Sequence, residues 1–575
     1  MWCPVFKAGR HGEHISMNST LTFIAVVAVI LALCAWIGAI RSKERAAALE
    51  SALKDQFGKV PDKKMSPLRW EKVNAYYLRH PPEDGIDDIT WNDLDMDAVY
   101  TRMDSTLSGA GEEYLYALLR SPVRGLTSPK VSKDLIRYFE EDEHTQVRIA
   151  FQKALSAFGH SGKYSIYDYL DLLDEVPTQS NMRQLPVFLL PLLSLALLFV
   201  SVPAGVVCLI ASLCWNMVTY YRRKGEIEPY IVSFYYLLRM LRCADEVISV
   251  SCGPFAGEQA ELAKMQTSFA RFRRGSGILL SGSAMSSGNP IDIVLDYVRI
   301  LFHVDLIKFN TMVVEAGKHR EEMDAELTIL GRLDAAIALA SFEKSLPYTC
   351  DPILHEDGIL EAEGIYHPLL SDPVPNSIRA VRPILLTGSN ASGKSTFLKS
   401  IALCSLFAQT IGFCPAHSYS GRIYRIRSSM ALRDSIRSGE SYFMVEIKSL
   451  KRIADLAGDG TRPVLCCIDE VLRGTNTVER IAASTEILKA FASHGVLCCA
   501  ATHDIELTSL LEDCYDNYHF EEDLRGGDVA FSYRLFPGRA NARNAIRLLD
   551  AVGFDEDITG RALQRAERFE ETGEW

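Results

Sequence analysis

The run Ile384-Leu385-Leu386-Thr387-Gly388-Ser389-Asn390-Ala391-Ser392-Gly393-Lys394-Ser395-Thr396 decides the fold. A short apolar stretch of strand type leads into the pattern G-x-x-x-x-G-K-[ST], and a helical stretch from Ser395 to Phe407 leads out. The glycines let backbone N–H groups wrap an anion, and the helix N-terminus adds its positive dipole end. In such a cradle Lys394 reaches the β- and γ-phosphates of a nucleotide. The Ser395 hydroxyl is placed to ligate Mg²⁺.

Downstream, Val464-Leu465-Cys466-Cys467-Ile468-Asp469-Glu470 is an apolar strand ending in two carboxylates. Strand C-termini are where ligands bind in open α/β sheets. Asp469 is therefore expected to hold Mg²⁺, and Glu470 to act as general base on the attacking water. A third buried strand, Val496–Ala501, precedes Thr502-His503-Asp504 and offers His503 as a sensor of the γ-phosphate. Between them, Ser438-Gly439-Glu440-Ser441 is a small polar turn ahead of an apolar stretch, suited to an anion or to a helix N-cap. Alternating short strands and helices after Asp351 predict a parallel α/β sheet, the fold of a P-loop ATPase.

The chain has 575 residues, 48% hydrophobic and 23% charged, with formal net charge −12. Those values exclude a largely disordered chain and a strongly basic nucleic-acid binder, although not a local basic patch. The 14 cysteines include no C-x-x-C pair, and several lie inside apolar runs. They read as buried small hydrophobes in a reducing compartment, not as a disulfide framework or a zinc site.

Two uncharged runs predict three transmembrane helices. Ser19–Ile40 is followed at once by Arg41, Lys43 and Arg45, and Met1–Ser16 reads as an extension ahead of a candidate start at Met17. Leu185–Val218 divides at Pro203 into a hairpin, Leu185–Ser201 and Ala204–Tyr220. Arg183 before it and Arg222, Arg223 and Lys224 after it place both flanks in the cytoplasm, with the turn outside. The expected organisation is an extension (1–18), a first span (19–40), a juxtamembrane helical linker (41–87) and a helical core domain (88–184). The hairpin (185–220), a second helical part (221–345) and the ATPase domain (346–575) complete it. The expected location is the cytoplasmic membrane, multi-pass, with core and ATPase domains in the cytoplasm.

Four segments together resemble the MutS family of mismatch-repair ATPases, relatives of the ABC ATPases. They are Gly388–Thr396, Ser438–Glu446, Asp469-Glu470-Val471-Leu472-Arg473-Gly474-Thr475-Asn476-Thr477, and Ala501-Thr502-His503-Asp504. Weaker similarity runs upstream through Thr106–Gly111, Leu118–Pro122, Leu333–Ala340 and Gly364–Leu369. The resemblance implies an ABC-type ATPase domain behind a mostly α-helical core. It also implies ATP and Mg²⁺ as ligands and a homodimer with composite sites. Gly388, Ser389, Asn390, Ala391, Ser392, Gly393, Lys394, Ser395 and Thr396 would hold the phosphates. Ser441 and Gly439 would face the partner's γ-phosphate. His519, in Asn517-Tyr518-His519, would lie near adenine. The family's N-terminal mismatch-reading domain has no counterpart here, and the membrane hairpin interrupts the core.

Two functions are expected. The first is a membrane-anchored ATP-driven switch that clamps duplex DNA, with Arg271, Arg273 and Arg274 as a basic patch. The alternative is a membrane-remodelling or transport-coupled ABC-like ATPase without a nucleic-acid role. A further protein partner is expected in either case, and the sequence does not name it.

Overall fold

The computed structural model describes residues 36–63, 65–126, 129–160, 165–174, 176, 180–276, 300–389, 392–430, 442–525, 528–539, 546 and 553–572. The chain forms two compact units, Met1–Phe57 and Gly58–Trp575. In the first, residues 36–56 make one helix. Ser19–Ile40, the first expected span, lies mostly outside the described residues.

The second unit carries ten strands in two sheets among the described residues. In chain order they are β1 (Ile353–His355), β2 (Leu360–Ile365), β3 (Asn376–Ala380), β4 (Ile384–Thr387) and β5 (Ser418–Arg422), then β6 (Arg425–Ser429), β7 (Val464–Asp469), β8 (Leu497–Ala501), β9 (Asp516–Arg525) and β10 (Asp528–Pro537). The smaller sheet is ordered β1-β5-β2-β3 and the larger β10-β9-β4-β8-β7-β6. All neighbours in the larger sheet pair parallel except β10, which runs antiparallel on β9. Helices cover the parallel strands, so β4, β7 and β8 bury nearly every residue and read as unbroken apolar runs instead of alternating ones. Cys466 and Cys467 lie opposite Cys498 and Cys499 in register, as free, buried thiols.

The helical part is knit by the weakly family-like segments themselves. Ser108 caps helix Gly109–Leu119 by accepting from Gly111 N at 3.1 Å. The buried Asp334 carboxylate, on helix Arg320–Lys344, accepts from Leu107 N (3.1 Å), Ser108 N (2.8 Å) and Ser108 Oγ (2.5 Å). Gly331 permits the two helices to touch backbone to backbone, because a Cβ there would sit 2.7 Å from Ala110 O.

An acidic segment, Asp84–Asp93, clasps the larger sheet at its β6 edge. Asp84 pairs with Arg425 and Arg462, and Asp87 with Arg427 and Arg452. Buried Asp93 accepts from Ser428 Oγ at 2.7 Å and from Met430 N at 2.9 Å.

The expectation of three membrane helices needs correction. Among the described residues, one helix is long and apolar enough to cross a bilayer, Val202–Glu228, and it continues as a single helix to Ile248. The companion arm is only Leu185–Leu197, 13 residues. The residues before it, Asn181–Gln184, form a 3-10 turn, and the bend falls at 198–201. The uncharged run is therefore split unequally, and its first arm is too short to span by itself.

Two buried carboxyls of the core give a testable pH dependence. Burial pushes Glu113 and Glu326 each up to about 8. Glu113 accepts from Ser165 Oγ (2.9 Å), and Glu326 from Gln266 Nε2 (3.2 Å). An unfolded Glu titrates near ~4.3. The folded state thus keeps protons that the unfolded chain releases. The stability they contribute is complete below that value and is lost as pH rises through about 8. The melting temperature should fall from about pH 5 to about pH 8 and level off above it, and Glu113→Gln with Glu326→Gln should flatten that fall. An unchanged slope in thermal unfolding of the double variant would refute the assignment.

Candidate nucleotide site

The site forms where β4, β7 and β8 end on the same side of the sheet. β4 runs into Gly388, at φ +139°, and the loop closes at Gly393, at φ +106°, the N-cap of helix Lys394–Thr410. Both glycines occupy backbone conformations that side chains resist. At Gly388 a Cβ would also lie 2.9 Å from Ser392 Oγ and 3.1 Å from Phe520 O. Ser392 Oγ donates to Ser389 O at 2.8 Å and pins the turn.

Lys394 is buried and donates to Gly388 O and Ser389 O, each at 2.7 Å, so its ammonium lies over the loop. Ser389 Oγ is buried with no hydrogen-bond partner among the described residues, a donor left for an incoming anion. Ser395 Oγ donates to Asp469 Oδ2 at 2.5 Å, which brings the two expected Mg²⁺ ligands together. Thr396 is exposed on the next position. Asn390 and Ala391 lie outside the described residues, as do Ser441 and Gly439.

Glu470 follows Asp469 in the left-handed region, at φ +63°, with its N–H donating to Ala501 O at 2.9 Å. That strained placement turns its side chain away from the strand direction. His503 Nε2 lies 3.1 Å from Glu470 Oε1, and Arg473 Nε 2.9 Å from Oε2. The His503 hydrogen bond is the largest influence on Glu470 and holds its carboxyl below the usual Glu range. The positive charges of Arg473 and Lys394 act in the same direction.

Arg473 lies within the third family-like segment, yet the sequence alone assigns it no role. It donates to Asp469 O at 2.7 Å, and its backbone N–H donates to Glu446 Oε1 at 3.2 Å. Glu446 belongs to helix Tyr442–Gly458, and burial raises its carboxyl. The segment with Ser438–Glu446 and the segment with Asp469–Thr477 are thus joined through one carboxylate. The only signal in the sequence is a lone arginine three residues after an acidic pair.

A cavity of about 540 Å³ adjoins the helix N-terminus, lined by Tyr366, His367, Lys394, Ser395, Phe520 and Tyr533 among others. Its aromatic walls and basic floor have the chemistry of a base-and-phosphate pocket. Burial brings His367 down to about 4, so it is neutral at pH 7. His519 is not on that wall. It is buried, with Nδ1 3.1 Å from Gly538 O and Nε2 3.1 Å from Glu521 Oε1. Its chain neighbour Phe520 faces the cavity instead.

Residues 384–570, which hold all of these groups except the Tyr366–His367 wall, match the model of MutS domain V. Residues 384–570 thus carry a MutS domain V, and the relatives it resembles are MutS proteins. The chain is 33% identical over 268 residues to a DNA mismatch repair protein MutS of Natronomonas pharaonis, covering 44% of this chain and 30% of that protein. A MutS of Chloroflexus aurantiacus is 32% identical over 269 residues (44% and 27%). A MutS 2 of Haloarcula marismortui is 31% identical over 278 residues (43% and 29%). The chain thus aligns with less than a third of the length of these MutS relatives.

The residues fit a nucleotide and its cation. Among the described residues no three His, Cys, Asp or Glu side chains gather to hold a metal. A cation held by Ser395 and Asp469 would therefore complete its shell with phosphate oxygens and water, as Mg²⁺ commonly does.

Proposed function

We propose that this MutS-family chain is an ATP-hydrolysing switch, membrane-held, that pairs with a second copy through its ATPase domains and acts on duplex DNA. One observation carries the ATPase reading: Glu470 is gripped between His503 and Arg473 directly beside the Ser395–Asp469 pair. Lys394 and the loop N–H groups neutralise and orient the phosphates. Ser395 and Asp469 would hold Mg²⁺, which when bound would draw negative charge from the phosphate. Glu470, kept ionised by His503, takes the proton of the attacking water, and His503 is positioned to register the change in charge. The partner copy would supply Ser441.

The DNA reading draws on the relatives' names. Of the basic patch, Arg273 is occupied by Asp245 and Gln266, and Phe272 is buried in the core. Arg271 and Arg274 are exposed. A second reading, work on the membrane without nucleic acid, is favoured by the apolar hairpin. The purified full chain should hydrolyse ATP only with Mg²⁺ and retard duplex DNA with steep salt dependence. Absence of any shift at low salt, for matched and mismatched duplex alike, would discard DNA and leave the membrane reading. Absence of Mg²⁺-dependent hydrolysis would discard the switch.

A further inference from the structure

The hairpin of Leu185–Leu197 and the helix from Val202 presents a continuous apolar surface. Phe199 is 94% exposed and Val200 83%, and Leu192, Leu193, Val207 and Ile210 are each more than half exposed. No charged side chain occurs from Leu185 to Tyr221. A surface this apolar marks a partner or a bilayer. The backbone bears on the choice. At the tip, the N–H groups of Leu198, Phe199, Val200, Ser201 and Gly205 donate within the hairpin and Pro203 has none to donate, which leaves Val202 and Ala204, in the first turn of their helix, as the two open donors. Ser194 Oγ and Ser212 Oγ donate to the carbonyls of Leu190 and Leu209 on their own helices. Hydrocarbon demands that most of the backbone be closed in this way, and a 3-10 end to the first arm supplies it for all but two donors. Arg183 on one flank, and Arg222 and Arg223 on the other, match anionic headgroups at the base.

The depth follows from three observations. The first is a polar knot that ends the apolar part. Buried Asn216 donates to Val187 O and Leu301 O, each at 2.9 Å, and its own carbonyl lies 2.9 Å from His303 Nε2. Tyr220 OH donates to Asp305 Oδ2 at 2.8 Å. The knot stays with the protein at the membrane surface. The second is length. From the knot to the tip, Val202–Asn216 rises only roughly 21 Å at ~1.5 Å per residue, against a hydrocarbon core of ~30 Å. The third is connectivity. Asp84, Asp87 and Asp93, before the hairpin, bind Arg425, Arg427, Ser428, Arg452 and Arg462, after it. Both flanks therefore lie on one face, so Val202–Glu228 is not a lone crossing.

We infer that the hairpin is a re-entrant lipid wedge: it enters the bilayer from the ATPase side, turns at Phe199–Pro203 within the hydrocarbon, and returns to the same face. This rests on the membrane-held reading and replaces the expected exposure of the turn on the far side.

The test uses the full chain with Cys208→Ala and Cys214→Ala, carrying either Ser201→Cys at the tip or Ser66→Cys on the ATPase side. A membrane-impermeant maleimide is applied to intact cells and to inverted membrane vesicles. Position 201 should stay unlabelled from both faces, at least about ten-fold below position 66 in inverted vesicles, and should label fully in detergent. Labelling of 201 in intact cells would show a crossing and overturn the wedge, with the anchor intact. Labelling of 201 alongside 66 in inverted vesicles would place the hairpin outside lipid and overturn it too. Protection that persists in detergent would assign the surface to a second copy or another protein, again against the wedge. A chain that fails to sediment with membranes would sink the membrane-held reading itself.

Discussion

Replacing Glu470 with Gln should leave ATP binding in place and slow hydrolysis by about 10²–10⁴-fold, the usual worth of a positioned general base. Gln keeps the shape and can still meet His503 and Arg473, so the loop geometry survives. It cannot accept a proton. The wild-type carboxylate is held ionised by the His503 hydrogen bond, the state a base requires at neutral pH. Its backbone is fixed by the Glu470 N–H bond to Ala501 O, which belongs to the neighbouring strand rather than to the side chain. Binding of a fluorescent ATP analogue and single-turnover phosphate release separate the two effects. Unchanged hydrolysis would remove Glu470 from the role of base.

Lys394→Ala should act earlier, on affinity. The ammonium is buried and already oriented over the loop carbonyls, where a phosphate would take over its hydrogen bonds. A hydrogen bond to a charged group is worth about 1.5–3 kcal/mol, and 1.4 kcal/mol is about ten-fold, so ATP binding should weaken by roughly 100-fold. The fold should persist, because the helix that starts at Lys394 has Gly393 as its N-cap and owes nothing to the lysine side chain there. Equilibrium titration with circular dichroism as a fold control checks this. An unchanged affinity would mean that the loop does not cradle phosphate.

The phosphate loop and the acidic strand end were legible because their signals are local. A run such as Val464–Ile468, apolar at every position, admits few burials other than a covered parallel strand, and the sheet then places Asp469 and Glu470 at its end. The hairpin was legible as apolar but not as unequal. Hydropathy marks Leu185–Val218 as one run. It does not show that Asn181–Gln184 turns before it, or that Asn216, uncharged and so counted within it, ties the helix back to Val187 and Leu301. His519 illustrates a one-residue limit. Along a strand successive side chains point to opposite faces, and Phe520 takes the cavity side. Asp84, Asp87 and Asp93 carry no local signal of their role, since their arginines lie far along the chain.

That clasp also sets an order of events during synthesis. Thr90 and Asp93 meet Ser428 and Met430 across 337 or 338 positions of sequence. The acidic segment leaves the ribosome long before β6 exists, and the apolar hairpin emerges in the interval. Long-range pairing of this kind is slow to form, and a nascent chain exposes its unfinished edges meanwhile. The ribosome must therefore complete the apolar hairpin while the Asp84–Asp93 segment waits for the sheet it will clasp. The β6 edge is clasped by a segment translated first, so a stalled chain holding everything up to the hairpin would carry a clasp with nothing yet to close on.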